Sequence, residues 1–305
     1  MSLEKRHKSG FVVIVGRPNS GKSTLLNALL DTKVSIVSPV PQTTRYRIRG
    51  ILNLPDAQIV FVDTPGIHSI KGGLVGKLNE SAISALDDID LVLYVADVSR
   101  KTGKEELSVM QAILESKAKV IMVLNKVDKG PLYLNQHIHA WKEFLSDKKI
   151  SEDPVRYYIP VSAMNNVNLG GLKDAILELL PEQPALYEPG TITDFPLKFR
   201  IADIIREKLF LSLKEELPHH LAVVIEEMED RKKIYYIRGK IYINRQSQKS
   251  IVVGKGASLL KEVNTQARKD LEGILKKKVF LETFVQVLEG WESKPQVLAE
   301  LGYAL

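Results

Sequence analysis

From Phe11 to about Pro181, short runs of Val, Ile and Leu alternate with amphipathic stretches. The apolar runs occupy residues 11–15, 48–54, 59–62, 91–96, 120–124 and 155–161. They are nearly continuous rather than alternating, which is the pattern of strands covered on both faces. Apolar residues at helical spacing fill 21–31, 76–87, 104–116, 134–148 and 170–180. This alternation predicts an α/β domain with a mostly parallel sheet and helices on both faces. Ligand sites in such a sheet lie just beyond the C-terminal ends of the strands.

The pattern changes after residue 181. Pro181, Pro184 and Pro189-Gly190 punctuate a stretch without helical or strand periodicity and predict a connection between domains. The expected organisation is a first domain at 8–182, a linker at 183–193 and a second domain at 194–305. In the second domain, 197–217 reads as a helix, with apolar Ile201, Ile204, Ile205, Leu209 and Leu213 on its face. Residues 221–228 and 234–243 read as strands, 258–278 as a helix and 279–287 as a last strand. Ile251-Val252-Val253 is a short extended piece or the entry to a helix. The resulting order is helix, strand, strand, helix, helix, strand, an α+β unit.

Composition narrows the function classes. A chain of 305 residues suits two domains. It holds no cysteine, which excludes disulfides and thiolate metal sites. The run 11–15 is too short for a membrane span or a signal-peptide core, so a cytoplasmic protein is expected. The net charge of +6 is unevenly spread. Residues 231–278 hold 14 Lys and Arg against 3 Asp and Glu, and such asymmetry predicts a polyanionic partner for that region. A basic surface also leaves peripheral contact with anionic lipid open.

Four short motifs carry the chemistry, each following a strand-like run. Gly16-Arg17-Pro18-Asn19-Ser20-Gly21-Lys22-Ser23 fits G-x-x-x-x-G-K-[ST]. Its backbone N–H groups, from Gly16 through Asn19, Ser20 and Gly21 to Thr24 at the helix start, would cradle phosphates. Lys22 would meet the β- and γ-phosphates, and the Ser23 hydroxyl would coordinate Mg²⁺. Asp63-Thr64-Pro65-Gly66 ends an apolar strand. Asp63 would hold Mg²⁺, and the Gly66 N–H would meet the γ-phosphate and lose it on hydrolysis, which makes 66–76 a switch segment. In Pro41-Gln42-Thr43-Thr44-Arg45, a threonine would ligate Mg²⁺ and contact the γ-phosphate; Thr44 is preferred and Thr43 is the alternative. The expected catalytic residues are therefore Lys22, Thr44 and Gly66.

The third and fourth motifs read the base. The Asp128 carboxylate in Asn125-Lys126-Val127-Asp128 can accept from guanine N1–H and the exocyclic amine, a donor pair that adenine lacks. Asn125 can bond the base edge and neighbouring loops, and the Lys126 stem can lie over the ring. Ser162-Ala163 can back the base through a main-chain N–H. These residues predict GTP and GDP as ligands and Mg²⁺-dependent hydrolysis of GTP.

The motifs at 16–24, 41–45, 63–66 and 125–128, together with Ile251-Val252-Val253-Gly254-Lys255-Gly256-Ala257, resemble the Era family of bacterial GTPases with a C-terminal KH domain. The second domain's element order resembles the type II KH fold. The resemblance covers nearly the whole chain. It implies a molecular switch that binds 16S ribosomal RNA near its 3′ end and acts in maturation of the 30S subunit, with no DNA partner. A KH loop clamps the nucleic-acid backbone where glycines admit phosphates. The implied RNA contacts are Val253, Gly254, Lys255, Gly256, Ala257 and Lys261, with Ile251, Val252 and Leu260 as an apolar floor. Ala257 departs from the family's fourth glycine. Ile67 stands where signalling GTPases place a water-orienting glutamine, so the expectation is slow intrinsic hydrolysis or another water-positioning device. Asn19 matches an asparagine that helps hold K⁺ in some relatives. The rival expectation is a signalling or membrane-associated GTPase whose basic domain binds lipid or protein.

Overall fold

The apolar runs become strands in a computed structural model that describes residues 7–41, 43–67, 73–87, 89–213 and 216–303. Gln42, and residues 68–72 of the expected switch segment, lie outside the described residues. Two units are present: Met1–Ser35 with Thr44–Asp194, and Ile36–Thr43 with Phe195–Leu305.

In the first unit the order is β1 (Lys8–Val15), α1 (Lys22–Leu30), β2 (Ile48–Leu54), β3 (Ala57–Asp63), α2 (Gly73–Ser84), β4 (Leu91–Asp97), α3 (Lys104–Ser116), β5 (Lys119–Asn125), α4 (Leu134–Asp147), β6 (Val155–Val161) and α5 (Leu169–Leu179). The described strands form one sheet in the order β2-β3-β1-β4-β5-β6. All neighbours are parallel except β2 and β3. Only Pro55 and Asp56 separate those two, too few residues for the crossover that a parallel pair requires.

The continuous apolar character of β1 follows from burial on both sides. Val13 and Val15 pack into a layer with Val109 and Met110 of α3 and Trp141 of α4. Val12 and Ile14 face the opposite layer, against Leu25 and Leu29 of α1 and Leu172 and Ile176 of α5. β1 lies between β3 and β4, where the direction of strand succession reverses. The crevice beyond β1 is therefore the favoured place for a ligand.

Segment 183–193, expected as a linker, is hydrogen-bonded to the sheet of the first unit. Gln58 Oε1 accepts from the backbone N–H of Leu186 and of Tyr187, both at 2.8 Å. Ile51 N–H donates to Ile192 O at 2.8 Å, and Thr193 Oγ1 donates to Arg49 O at 2.6 Å. The segment thus satisfies its backbone on β2 and β3, and the division falls after Asp194.

The second unit contains α6 (Leu197–Ser212), β7 (Leu221–Arg231), β8 (Ile234–Ile243), α7 (Gln246–Val253), α8 (Ser258–Leu275), β9 (Lys278–Val287) and α9 (Pro295–Glu300). β8 pairs antiparallel with β7 and parallel with β9. Ile201, Ile205 and Leu209 of α6 share a core with Val263, Ala267 and Leu271 of α8 and with Ile237 and Ile241 of β8. Residues 251–253 are the last turn of α7 rather than an extended piece. Gln248 Oε1 accepts from the N–H of Asn244 and of Arg245 at the start of that helix, at 3.0 and 2.9 Å. Val252 is fully buried in the core, whereas Ile251 is 57% exposed. Val252 is therefore no part of an apolar floor under bases.

Residues 36–43 precede β2 in sequence yet pack in the second unit. Ile36 is buried in its core. Glu207 Oε1 accepts from Val37 N–H at 2.9 Å, and Arg206 Nη2 donates to Thr43 O at 2.8 Å. Arg206 is itself buried and also bonds the Tyr303 hydroxyl and Asp203. No helix among the described residues is long and apolar enough to cross a membrane.

Candidate functional site

The C-terminal ends of β1, β3, β5 and β6 deliver the four motifs to one edge of the sheet. Between β1 and α1, the turn 16–21 brings the Lys22 amine to the carbonyls of Gly16 and Arg17, 3.0 Å from each. Burial pushes the Lys22 amine down to about 8, against the pull of Asp63 and with further depression from Lys126. Gly21 has φ 98°, and a Cβ there would lie 2.3 Å from Asn125 Nδ2. Only glycine permits that approach. Thr24 is half-buried in the first turn of α1.

Asn125, at the end of β5, joins three loops. Its Nδ2 donates to Ser20 O at 2.9 Å, and its Oδ1 accepts from Ala163 N–H at 3.1 Å. Lys126 is held at φ 69°, and its amine donates to Asn19 O at 2.6 Å and to Asp97 Oδ2 at 2.7 Å. Burial alone would raise the Asp97 carboxyl, but hydrogen bonds from Lys126 and Ser99 outweigh it and hold it below the usual carboxylate range. Asp128 lies exposed in the turn after β5 and accepts a hydrogen bond from Ser162 Oγ.

The expected Mg²⁺ oxygens cluster. Ser23 Oγ donates to Asp63 Oδ2 at 2.7 Å and lies 2.8 Å from Thr44 Oγ1. Thr43 points elsewhere: its hydroxyl donates to Val40 O at 2.6 Å and lies 2.6 Å from Ser38 Oγ. Burial pushes the Asp63 carboxyl up, against hydrogen bonds from Ser23 and Ser35 and the charge of Lys22. Asp63 Oδ1 is buried and takes no hydrogen bond. A buried carboxylate oxygen without a donor, beside two hydroxyls, fits a hard cation that prefers oxygen ligands. Gly66 lies against the first loop, since a Cβ there would be 2.9 Å from Pro18 N. The Ile67 side chain is buried in the core layer under α2–α4.

Sequence reading does not find Ser35 or Asp97. Ser35 Oγ donates to Asp63 Oδ2 at 2.8 Å from a fully buried position. Asn27 Oδ1 sets that turn by accepting from the N–H of Val34 and Ser35. Neither Ser35 nor Asp97 belongs to a motif, and the only signal for Asp97 is a carboxylate at the end of an apolar strand.

In the second unit, residues 254–257 join α7 to α8. Gly254 has φ 75°, and a Cβ there would lie 2.8 Å from Leu259 N. Lys255, Gly256 and Lys261 are exposed, while Val253 and Ala257 are half-buried. Ala257 has φ 61°, a left-handed conformation that costs a residue with a Cβ roughly 1–2 kcal/mol. Glycine avoids this at a smaller entropic cost, so Ala257→Gly should raise unfolding free energy by about 0.5–1 kcal/mol in thermal melts.

Comparison with known proteins agrees with this arrangement. A family described as 50S ribosome-binding GTPases matches residues 11–126, and the KH domain family matches 216–292. GTPase Era of Geotalea daltonii is 40% identical over 304 residues, covering 98% of this chain and 99% of that protein. GTPase Era of Clostridium botulinum is 42% identical over 298 residues, covering 97% and 98% respectively. A solved structure of Era in complex with MgGDPNP and nucleotides 1506–1542 of 16S ribosomal RNA is 38% identical. It matches with a TM-score of 0.90 and covers 98% of this chain and 100% of that one. With both domains matched and full-length relatives well above 30% identity, this chain belongs to the Era family of GTPases.

Proposed function

We propose that this protein is a GTP-hydrolysing switch that binds the 3′ region of 16S ribosomal RNA through its KH domain and serves 30S subunit maturation. The observation that carries the nucleotide half is the cluster of Ser23, Thr44 and Asp63 oxygens beside Lys22 at the start of α1. Ser23, Thr44 and Asp63 would hold Mg²⁺, which when bound neutralises charge on the β- and γ-phosphates. Lys22 would leave the Gly16 and Arg17 carbonyls for phosphate oxygens, and Gly66 N–H would contact the γ-phosphate. Asn125, Lys126, Asp128, Ser162 and Ala163 would surround the guanine. The chain passes directly from Thr43, held by Arg206, to Thr44 at the metal-site oxygens. Nucleotide state and the second unit thus share one stretch of backbone, which supports a coupled switch.

The RNA half rests on the exposed Lys255-Gly256 tip, the basic stretch 231–278, and the rRNA fragment bound by the related Era. Affinity for a small-subunit rRNA 3′ fragment and a scrambled control, at fixed salt, tests it with GDP and with a non-hydrolysable GTP analogue. Selective binding that differs between nucleotides is expected. Equal weak binding to both RNAs would leave a generic basic patch, and selective binding to anionic vesicles instead would favour a peripheral membrane role. Asn19, in the loop over the phosphates, is the proposed K⁺ contact. Turnover should then be faster in K⁺ than in Na⁺; equal rates would remove K⁺ from the site.

A further inference from the structure

The side chain of Arg17 points away from the nucleotide site into the first unit. It is 7% exposed, and its Nε lies 3.1 Å from Oε1 of Glu106, which is 2% exposed near the start of α3. Arg17 Nη1 also donates to Lys101 O at 3.3 Å. The main chain of the same residue is part of the phosphate loop, since Arg17 O accepts from Lys22 Nζ and from Ser20 N–H. The segment 97–106 therefore grips the phosphate loop at one end. At its other end Asp97 holds Lys126 of the base-reading motif. One stretch of chain thus braces both halves of the nucleotide site, and none of the four motifs includes it.

We propose that Arg17 and Glu106 are positioning residues for nucleotide binding, their ion pair fixing the phosphate loop on the 97–106 segment that also fixes the base loop. The inference rests on the reading of 16–23 as the phosphate-binding loop. A stabilising role does not account for the pair. Neither Glu106 oxygen receives an aligned hydrogen bond, and buried ion pairs of such geometry rarely recover their desolvation cost. Burial pushes the Glu106 carboxyl up to about 7, with Arg17 opposing, Glu105 adding, Arg100 opposing and Asp97 adding. Among the described residues, the buried Tyr94 hydroxyl of β4 also feels both Glu106 and Arg17, and His137 of α4 feels Arg17.

The signs of the two pH effects are opposite. A carboxyl raised on folding favours the folded state most at low pH, and that contribution is lost as pH rises through about 7. Ionising the carboxyl between pH 6 and pH 8 therefore removes stability that the protonated form supplies. Positioning of the loop, in contrast, needs the ionised carboxylate and strengthens over the same interval.

Glu106→Gln separates the two. Full-length wild type and variant are titrated with a fluorescent GDP analogue in Mg²⁺ at pH 6 and pH 8, with thermal melts in parallel. At pH 8 the variant should bind roughly tenfold more weakly while melting at the same or a higher temperature. At pH 6, where wild-type Glu106 is mostly protonated, the affinity ratio should approach one. Taking the ratio cancels the titration of the nucleotide's own phosphates. An affinity ratio that does not change with pH would overturn the proposal, as would weaker binding accompanied by a lower melting temperature at pH 8. Failure of the wild type to bind GDP would instead sink the reading of the phosphate loop itself.

Discussion

Asp128→Asn should transfer base preference from guanosine to xanthosine nucleotides. A carboxylate at 128 offers two acceptors to guanine N1–H and the exocyclic amine. Asparagine offers one acceptor and one donor, which would leave two donors opposed at the guanine amine. Xanthine carries a carbonyl at that position and would satisfy the asparagine amide. Sites built around a hydrogen-bonding pair reject the mismatched partner by roughly 10⁴–10⁵-fold, so GTP affinity should fall by orders of magnitude. The amide oxygen of the variant can still accept from Ser162 Oγ, and the position is exposed, so the fold should be unaffected. Competition between GDP and xanthosine diphosphate, with a thermal melt as control, reads the result. Unchanged preference would remove Asp128 from the base pocket.

The second large effect is expected at the loop between α7 and α8. Lys255→Glu with Gly256→Asp should weaken binding to the rRNA fragment by at least roughly a hundredfold and flatten its dependence on salt. Two acidic groups replace a cation and a glycine at the point where a phosphate backbone would approach. Both positions are exposed and nothing lies within 4 Å of a Cβ built on Gly256, although its φ of 60° strains any residue that carries a side chain. Gly254 is a poorer test, since any side chain there meets Leu259 N and would disturb the start of α8. GTP turnover should match the wild type, while the melting temperature should fall slightly, by the equivalent of roughly 1–2 kcal/mol for a side chain at a left-handed position. RNA affinity that survives the double change would place the RNA site elsewhere.

Much of this architecture was written locally. The strands of the first unit could be read from their apolar runs because burial on both faces demands an unbroken apolar sequence. β2 and β3 were equally legible as strands, but their antiparallel pairing depends on a two-residue connection. In the second unit the ambiguity at 251–253 arose because three apolar residues suit a strand as well as the last turn of a helix. The Gln248 side chain, which accepts from the N–H of Asn244 and Arg245, decides for the helix, and it belongs to no common motif.

The sequence by itself determined the motif order, the strand-end placement of each motif, the basic second domain and the order of its elements as far as β9. These follow from periodicities and spacings within a few residues, where chain geometry leaves little choice. Tertiary structure alone decided which threonine lies beside Ser23, since adjacent residues 43 and 44 send their side chains to different partners. It also decided that Ser35 reaches Asp63, that Asp97 holds Lys126, and that Arg17 turns inward to Glu106. It placed 183–193 on the first unit and Ile36 in the core of the second. Each of these joins groups remote in sequence through side-chain direction and burial, and both are set only once strands and helices have packed.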